Sequence, residues 1–267
     1  MRSRWAALLV GAWVVAVCGC RSIDNVRVKQ GPAQPLTTEE ARKLYDEGVA
    51  LYHQQPRGLA SVKDAANRLE RAAGALTDDY AAQWQAAQAF EFLAENETRT
   101  DSRRVAAQRG IVLARRAREL KPDGVEGCYW FALDVGELAD VDRAYGLDAV
   151  KEMETALERA IDLDERYDYA GPLRVLGVLR LRAPQPPTSI GSPRKGLQLL
   201  RRAVELFPDY PENYLYLAEA LRDTGHADEA KEAVRKVLEA QPWPDQQFES
   251  GQWKAAAEKL RGQLEKE

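Results

Sequence analysis

Few side chains in this 267-residue sequence could do chemistry, and they are poorly spaced for it. It holds two histidines, His53 and His226, and neither stands at metal-ligand spacing from the other or from a cysteine. No G-x-S-x-G, no H-E-x-x-H and no phosphate-cradling glycine loop occurs. Acid pairs such as Asp78 and Asp79 precede apolar-periodic runs, where helix starts use carboxylates to cap free amides. Asp140, Asp142 and Asp148 cluster, but the glycine and terminal glutamate of a calcium loop are out of place. Cys128 sits in a helical pattern on a packing side, which fits a buried thiol better than a nucleophile. Catalysis, a metal and a cofactor are therefore not expected.

The remaining reactive group is Cys20. Arg2 and Arg4 give a positive start, and residues 5–17 form an apolar run. A bilayer-spanning helix needs roughly 20 such residues, so this run suits a cleaved signal better than a transmembrane span. It ends in V-C-G-C, which resembles the bacterial lipobox, with Gly19 before the cleavage point and Cys20 as the lipidated residue. Ordinary secretion with a free Cys20 is the alternative. Residues 1–19 are thus expected to be a signal peptide. Residues 20–36, with Gly31, Pro32 and Pro35, read as a lipid-anchored tether. As a flexible coil that tether would span about 20–25 Å root-mean-square. Arg21 stands where an aspartate would retain some lipoproteins in the inner membrane, so the outer membrane is expected, the folded body facing the periplasm.

Removing Arg2 and Arg4 takes the formal net charge from −4 to −6, which argues against nucleic acid as a partner. With Cys20 acylated, Cys128 has no partner for an internal disulfide.

Residues 37–267 carry the elements that must position any site. Ala, Leu, Glu and Arg dominate, β-branched clusters are absent, and no alternating stretch suggests a sheet, so the fold class is all-α. A capping box, T-T-E-E from Thr37 to Glu40, opens the first helix. Pro208 and Pro242, each closing an amphipathic helix, bracket a readable repeat in which Gly225 separates Ala218 from Ala230. Two antiparallel helices per unit, small residues at their closest approach and a proline at the end resemble the tetratricopeptide repeat (TPR). Second helices align on Ala65, Ala72, Thr77; Gly110, Ala117, Pro122; Met153, Ala160, Glu165; Gly196, Ala203, Pro208; and Ala230, Val237, Pro242. First helices align on Gly48, Gln88, Ala132, Gly177 and Ala218.

The pattern predicts a helical-repeat solenoid of about five helix pairs, with extra length falling at the turn inside each of the first four. Such insertions gather along one edge, either as a binding surface or as drift in surface loops. The one at 183–193 carries four prolines and should be extended. A last helix, near 246–266, bears an apolar stripe of Phe248, Trp253, Ala256, Leu260 and Leu264 and reads as a cap on the open end.

Binding is the activity such a fold offers. Counting from the markers, the inward positions of the first helices are Tyr45, Tyr52, Gln85, Phe92, Tyr129, Leu133, Arg174 and Val178. That row is aromatic and apolar with one cation, suited to an organic ligand or a partner segment. The same residues could equally pack against the inserted loops.

The sequence Y-A-G-P-L-R-V-L-G at 169–177, followed by Ala183-Pro184 and Gly191-Ser192, resembles the TatT family, the lipoprotein T components of tripartite ATP-independent periplasmic (TRAP) transporters. Its G-x-x-R-x-L-G core falls on Gly171, Arg174, Leu176 and Gly177. The resemblance implies a periplasm-facing lipoprotein that forms homotrimers and engages a periplasmic solute-binding protein. It also implies a hydrophobic small molecule in a central cavity of each subunit, and offers no catalytic residue. Two alternatives share the fold: a repeat scaffold that binds peptide segments in envelope, secretion or pilus assembly, and a ligand-binding lipoprotein without a transporter.

Overall fold

The computed structural model describes residues 21–28 and 35–266, so the signal peptide and Cys20 lie outside the described residues. These form eleven α-helices, with no strand among the described residues. In chain order they are α1 (Thr38–His53), α2 (Leu59–Ala75), α3 (Tyr80–Asn96), α4 (Thr100–Leu120), α5 (Val125–Val141), α6 (Gly146–Asp164), α7 (Tyr167–Arg182), α8 (Pro193–Leu206), α9 (Pro211–Asp223), α10 (Ala227–Glu239) and α11 (Gln247–Leu264). Eleven helices are the number that five pairs and a capping helix require; α1 packs with α2, α3 with α4, α7 with α8 and α9 with α10, and α11 lies against α9 and α10. Two compact units result, residues 21–163 and residues 164–266.

Helix α1 begins as its sequence dictates. The Thr37 hydroxyl accepts from the Glu40 amide at 3.2 Å, and the Glu40 carboxylate accepts from the Thr37 amide at 2.8 Å. All ten paired second-helix markers, from Ala65 and Ala72 to Ala230 and Val237, are buried. The small residues do what close helix approach requires. A methyl group on Gly196 would meet the Gly177 carbonyl oxygen at 2.6 Å, so α7 and α8 touch backbone to backbone there. One marker slips: Gln88 is half-buried, whereas Ala86, Ala87 and Ala89 around it are fully buried.

The extra length inside the pairs takes two forms. In the plain last pair, α9 and α10 have 13 residues each. In the second pair α3 and α4 have 17 and 21, and only residues 97–99 separate them, so the insertion has been wound into helix. Its sequence lacks Pro and Gly and is rich in Arg and Ala, which favour helix. In the fourth pair the helices have only 16 and 14 residues, and residues 183–192 form a non-helical loop. Pro184, Pro186 and Pro187 there cannot supply helical N–H donors, and Pro193 opens α8.

First helices are the more deeply buried layer. Every residue of α5 from Gly127 to Ala139 is buried, as expected of a helix enclosed on all sides. Second helices keep one solvent face; α8 buries only Gly196, Leu200 and Ala203.

The stretch following Cys20 differs from expectation. Residues 21–28 do not stand free as a tether but are seated on the first unit. Ile23 and Val26 are buried. The Arg21 amide donates to the Ala144 carbonyl at 3.1 Å, and the Ile23 amide donates to the Asp148 carboxylate at 2.6 Å. Arg115 donates to the carbonyls of Ile23 and Val26 at 2.8 and 3.3 Å. Two apolar side chains within a polar stretch carry no periodicity, so the sequence pattern could not reveal this seat.

Candidate functional site

Six of the eight inward residues lie in the first unit, on α1, α3 and α5, where α3 packs against both of the others. Tyr52 and Phe92 are brought together under Arg57, whose guanidinium lies 4.9 Å from the Tyr52 ring and 5.9 Å from the Phe92 ring. Arg57 belongs to the turn between α1 and α2, so the inserted residues there cover these aromatics. Tyr129 and Leu133 are fully buried one helical turn apart, and Tyr129 meets Trp130 edge-on at 5.0 Å. Tyr45 and Gln85 are half-buried. Burial, then the charges of Asp79 and Asp46, push the Tyr45 hydroxyl up from its ordinary pKa. The Gln85 side-chain oxygen is enclosed without a hydrogen-bond partner, an acceptor left open on this wall.

The same unit holds a group of buried charges, on α4 and α5, that the residue pattern did not single out. Arg103 of α4 donates to Glu137 at 2.7 Å, to Asp140 at 2.8 Å and to the Ala94 carbonyl at 2.7 Å. One turn before Glu137, Asp134 is completely buried, and neither of its oxygens has a hydrogen-bond partner. It presses on Gly110 of α4, where a methyl group would come within 2.1 Å of the carboxylate. Burial drives the Asp134 carboxyl far above the usual carboxylate range, and the charges of Glu91 and Glu137 push it further. Burial also raises Glu137, to about 7; Glu95 adds to the shift and Arg103 opposes it. The arrangement can hold protons near neutral pH. Its signal was two acids, Asp134 and Glu137, inside the apolar run W-F-A-L-D-V-G-E-L-A.

Arg174 and Val178 belong to the second unit and are buried in α7. Asp168, Tyr169 and Ala170 all have positive φ (47°, 54° and 64°), three consecutive left-handed residues ahead of Gly171 and Pro172. Left-handed turns cost roughly 1–2 kcal/mol per residue, so this one must be held from outside. Arg174 holds it. Its guanidinium donates to the carbonyls of Tyr169 (3.3 Å) and Asp168 (3.5 Å), and to the Asn213 side chain at 3.0 Å. It also pairs with Glu212 at 2.9 Å and Asp168 at 3.3 Å. Asn213 returns a hydrogen bond to the Tyr169 carbonyl at 3.1 Å. Tyr169 then stacks on Tyr210 with centroids 4.4 Å apart, and Trp243 closes edge-on against both rings at 5.2 Å. The cation counted into the inward row thus serves as a backbone clamp.

The family model of the TRAP transporter T-component (TAtT) matches residues 40–263. The chain belongs to the TRAP transporter T-component family. Membership associates it with a TRAP transporter, in keeping with an envelope location, and no helix among the described residues is long and apolar enough to cross a membrane. No curated protein matches the sequence. Among solved structures, a thermophilic TPR protein of Thermus thermophilus is similar with a TM-score of 0.60 at 20% identity, over 81% of this chain and 98% of that one. PilF of Pseudomonas aeruginosa is similar with a TM-score of 0.53 at 16% identity, over 86% and 92%. At such identities these likenesses establish the TPR-like fold. The residues that carried the T-component resemblance have structural reasons to be what they are. Arg174 clamps the left-handed turn, and Gly177 admits α8.

Proposed function

We propose that this T component is a periplasm-facing lipoprotein, anchored through Cys20 in the outer membrane, that docks a periplasmic solute-binding protein. The T-component match over residues 40–263 carries this reading. As a homotrimer it would shelter a hydrophobic small molecule along Tyr45, Tyr52, Gln85, Phe92, Tyr129 and Leu133 in each subunit, with Arg174 and Val178 supporting α7. An aromatic wall with one open acceptor, Gln85, supports an apolar ligand carrying a single donor group.

Native mass spectrometry of the soluble form beginning at Arg21 tests the assembly and the cargo together. A trimer that releases a small apolar molecule on denaturing extraction is the expected outcome. An empty monomer would remove both claims. Capture of the purified solute-binding component of the same transporter tests the partner, and failure to bind at micromolar concentration would overturn it.

A further inference from the structure

The seat of residues 21–28 has a consequence for how the body meets a membrane. Cys20 is joined directly to Arg21, the first residue of the seated stretch. Arg21 is held in place: its amide bonds to Ala144, and its guanidinium pairs with Asp142 at 3.0 Å and lies 5.9 Å from the Tyr145 ring. The start of the described stretch, Arg21, thus lies at the turn between α5 and α6.

That turn is flanked by two exposed apolar side chains. Val105 is 46% exposed and Leu147 is 37% exposed; among the described residues they are the large apolar side chains left open to solvent. Leu147 stands three residues beyond Ala144 in the first turn of α6. Val105 follows Arg104, whose guanidinium lies 3.9 Å from the same Asp142 oxygen that Arg21 uses. Arg143, also exposed, and the largely exposed Arg21 side chain add positive charge beside them. Apolar side chains with cations at their rim suit the boundary between headgroups and acyl chains.

We propose that Val105, Leu147 and Arg143, around the exit of residue 21, form the face that lies on the bilayer holding the Cys20 lipid. The body is then pressed to the membrane in a fixed orientation instead of swinging on a coil. The inference rests on the lipid-anchor reading of Cys20.

The test uses the full lipoprotein in phosphatidylcholine and phosphatidylglycerol vesicles, with a bimane label at Val105→Cys, Leu147→Cys or Glu119→Cys. Glu119 is exposed, near the far end of α4 and about 21 Å along its axis from Val105. Cys128 is buried and remains unlabelled. Quenching by nitroxide-bearing lipid should be several-fold stronger at 105 and 147 than at 119. Equal quenching at the three positions, with fatty acid found on Cys20 by metabolic labelling, would overturn the fixed face and leave the anchor standing. Absence of fatty acid would overturn both. In the seat variant Arg115→Met with Asp148→Asn, the lipid should remain and the difference between positions should vanish; an undiminished difference would count against the seat.

Discussion

Arg174 and Asp134 are both buried charge-bearing side chains of first helices, and the protein treats the two in opposite ways. Arg174 in α7 has every kind of partner within reach: two carboxylates, two carbonyls and an amide oxygen. Asp134 in α5 has no hydrogen-bond partner, and its nearest charged neighbours repel it. A buried ion is tolerated when the fold supplies its hydrogen bonds; otherwise the group gives up its charge. Arg174 is accordingly a piece of architecture. Burial favours the neutral form of the Asp134 carboxyl, a property more often found where protons or ligands are handled.

The comparison breaks most easily on the arginine. Arg174→Met should cost about 3–5 kcal/mol in urea unfolding, because Glu212 would be left buried without its cation. Arg174→Lys should recover little, since one ammonium cannot reach Glu212, Asn213 and the Tyr169 carbonyl together. Adding Glu212→Gln to the methionine variant should restore part of the loss. A cost below about 1 kcal/mol would mean that the Tyr169–Tyr210–Trp243 stack alone holds the left-handed turn.

The acid's enclosure is tested next, through the glycine it touches. Gly110→Ala places a methyl group against the Asp134 carboxylate and should cost about 1–3 kcal/mol by overpacking. In an Asp134→Ala background the same change should cost much less. Additive effects in the double-mutant cycle would show that α4 and α5 do not meet at this point.

Much of this was legible in the sequence, for definite reasons. Helix pairing follows from small residues at fixed spacing and from terminators, so Ala72, Ala117, Ala203 and their equivalents placed the helices correctly. The marker fell on the half-buried Gln88 where alanines lie on both sides of it and no glycine fixes the register. That the second pair's insertion is helical and the fourth's is a loop follows from proline content, although only the proline-rich one was foreseen. The candidate site was read less fully. Inward positions can be counted, but a carboxylate's partners depend on residues 30 or more positions away, such as Arg103 for Glu137. The seat of residues 21–28 rests on Ile23 and Val26 alone, below what periodicity can detect.

The smallest expected effect separates the two charges by pH. Asp134 and Glu137 have folded-state pKa values above their unfolded ones, so the folded chain binds more protons between the two sets of values. Their contribution to stability is fully present below the unfolded carboxylate pKa. It is lost as pH rises, with Glu137 passing through its midpoint at about 7. Asp134→Asn keeps the shape and removes one titration. Urea unfolding should therefore show no gain for this variant near pH 4 and a gain of about 1–2 kcal/mol at pH 8. The gain should be lost when the comparison is made in acid, whatever the buffer. A gain independent of pH would point to relief of packing against Gly110, and no gain at pH 8 would mean that Asp134 finds a partner when it ionises. Arg174 has no counterpart to this behaviour, because a guanidinium keeps its proton throughout the range.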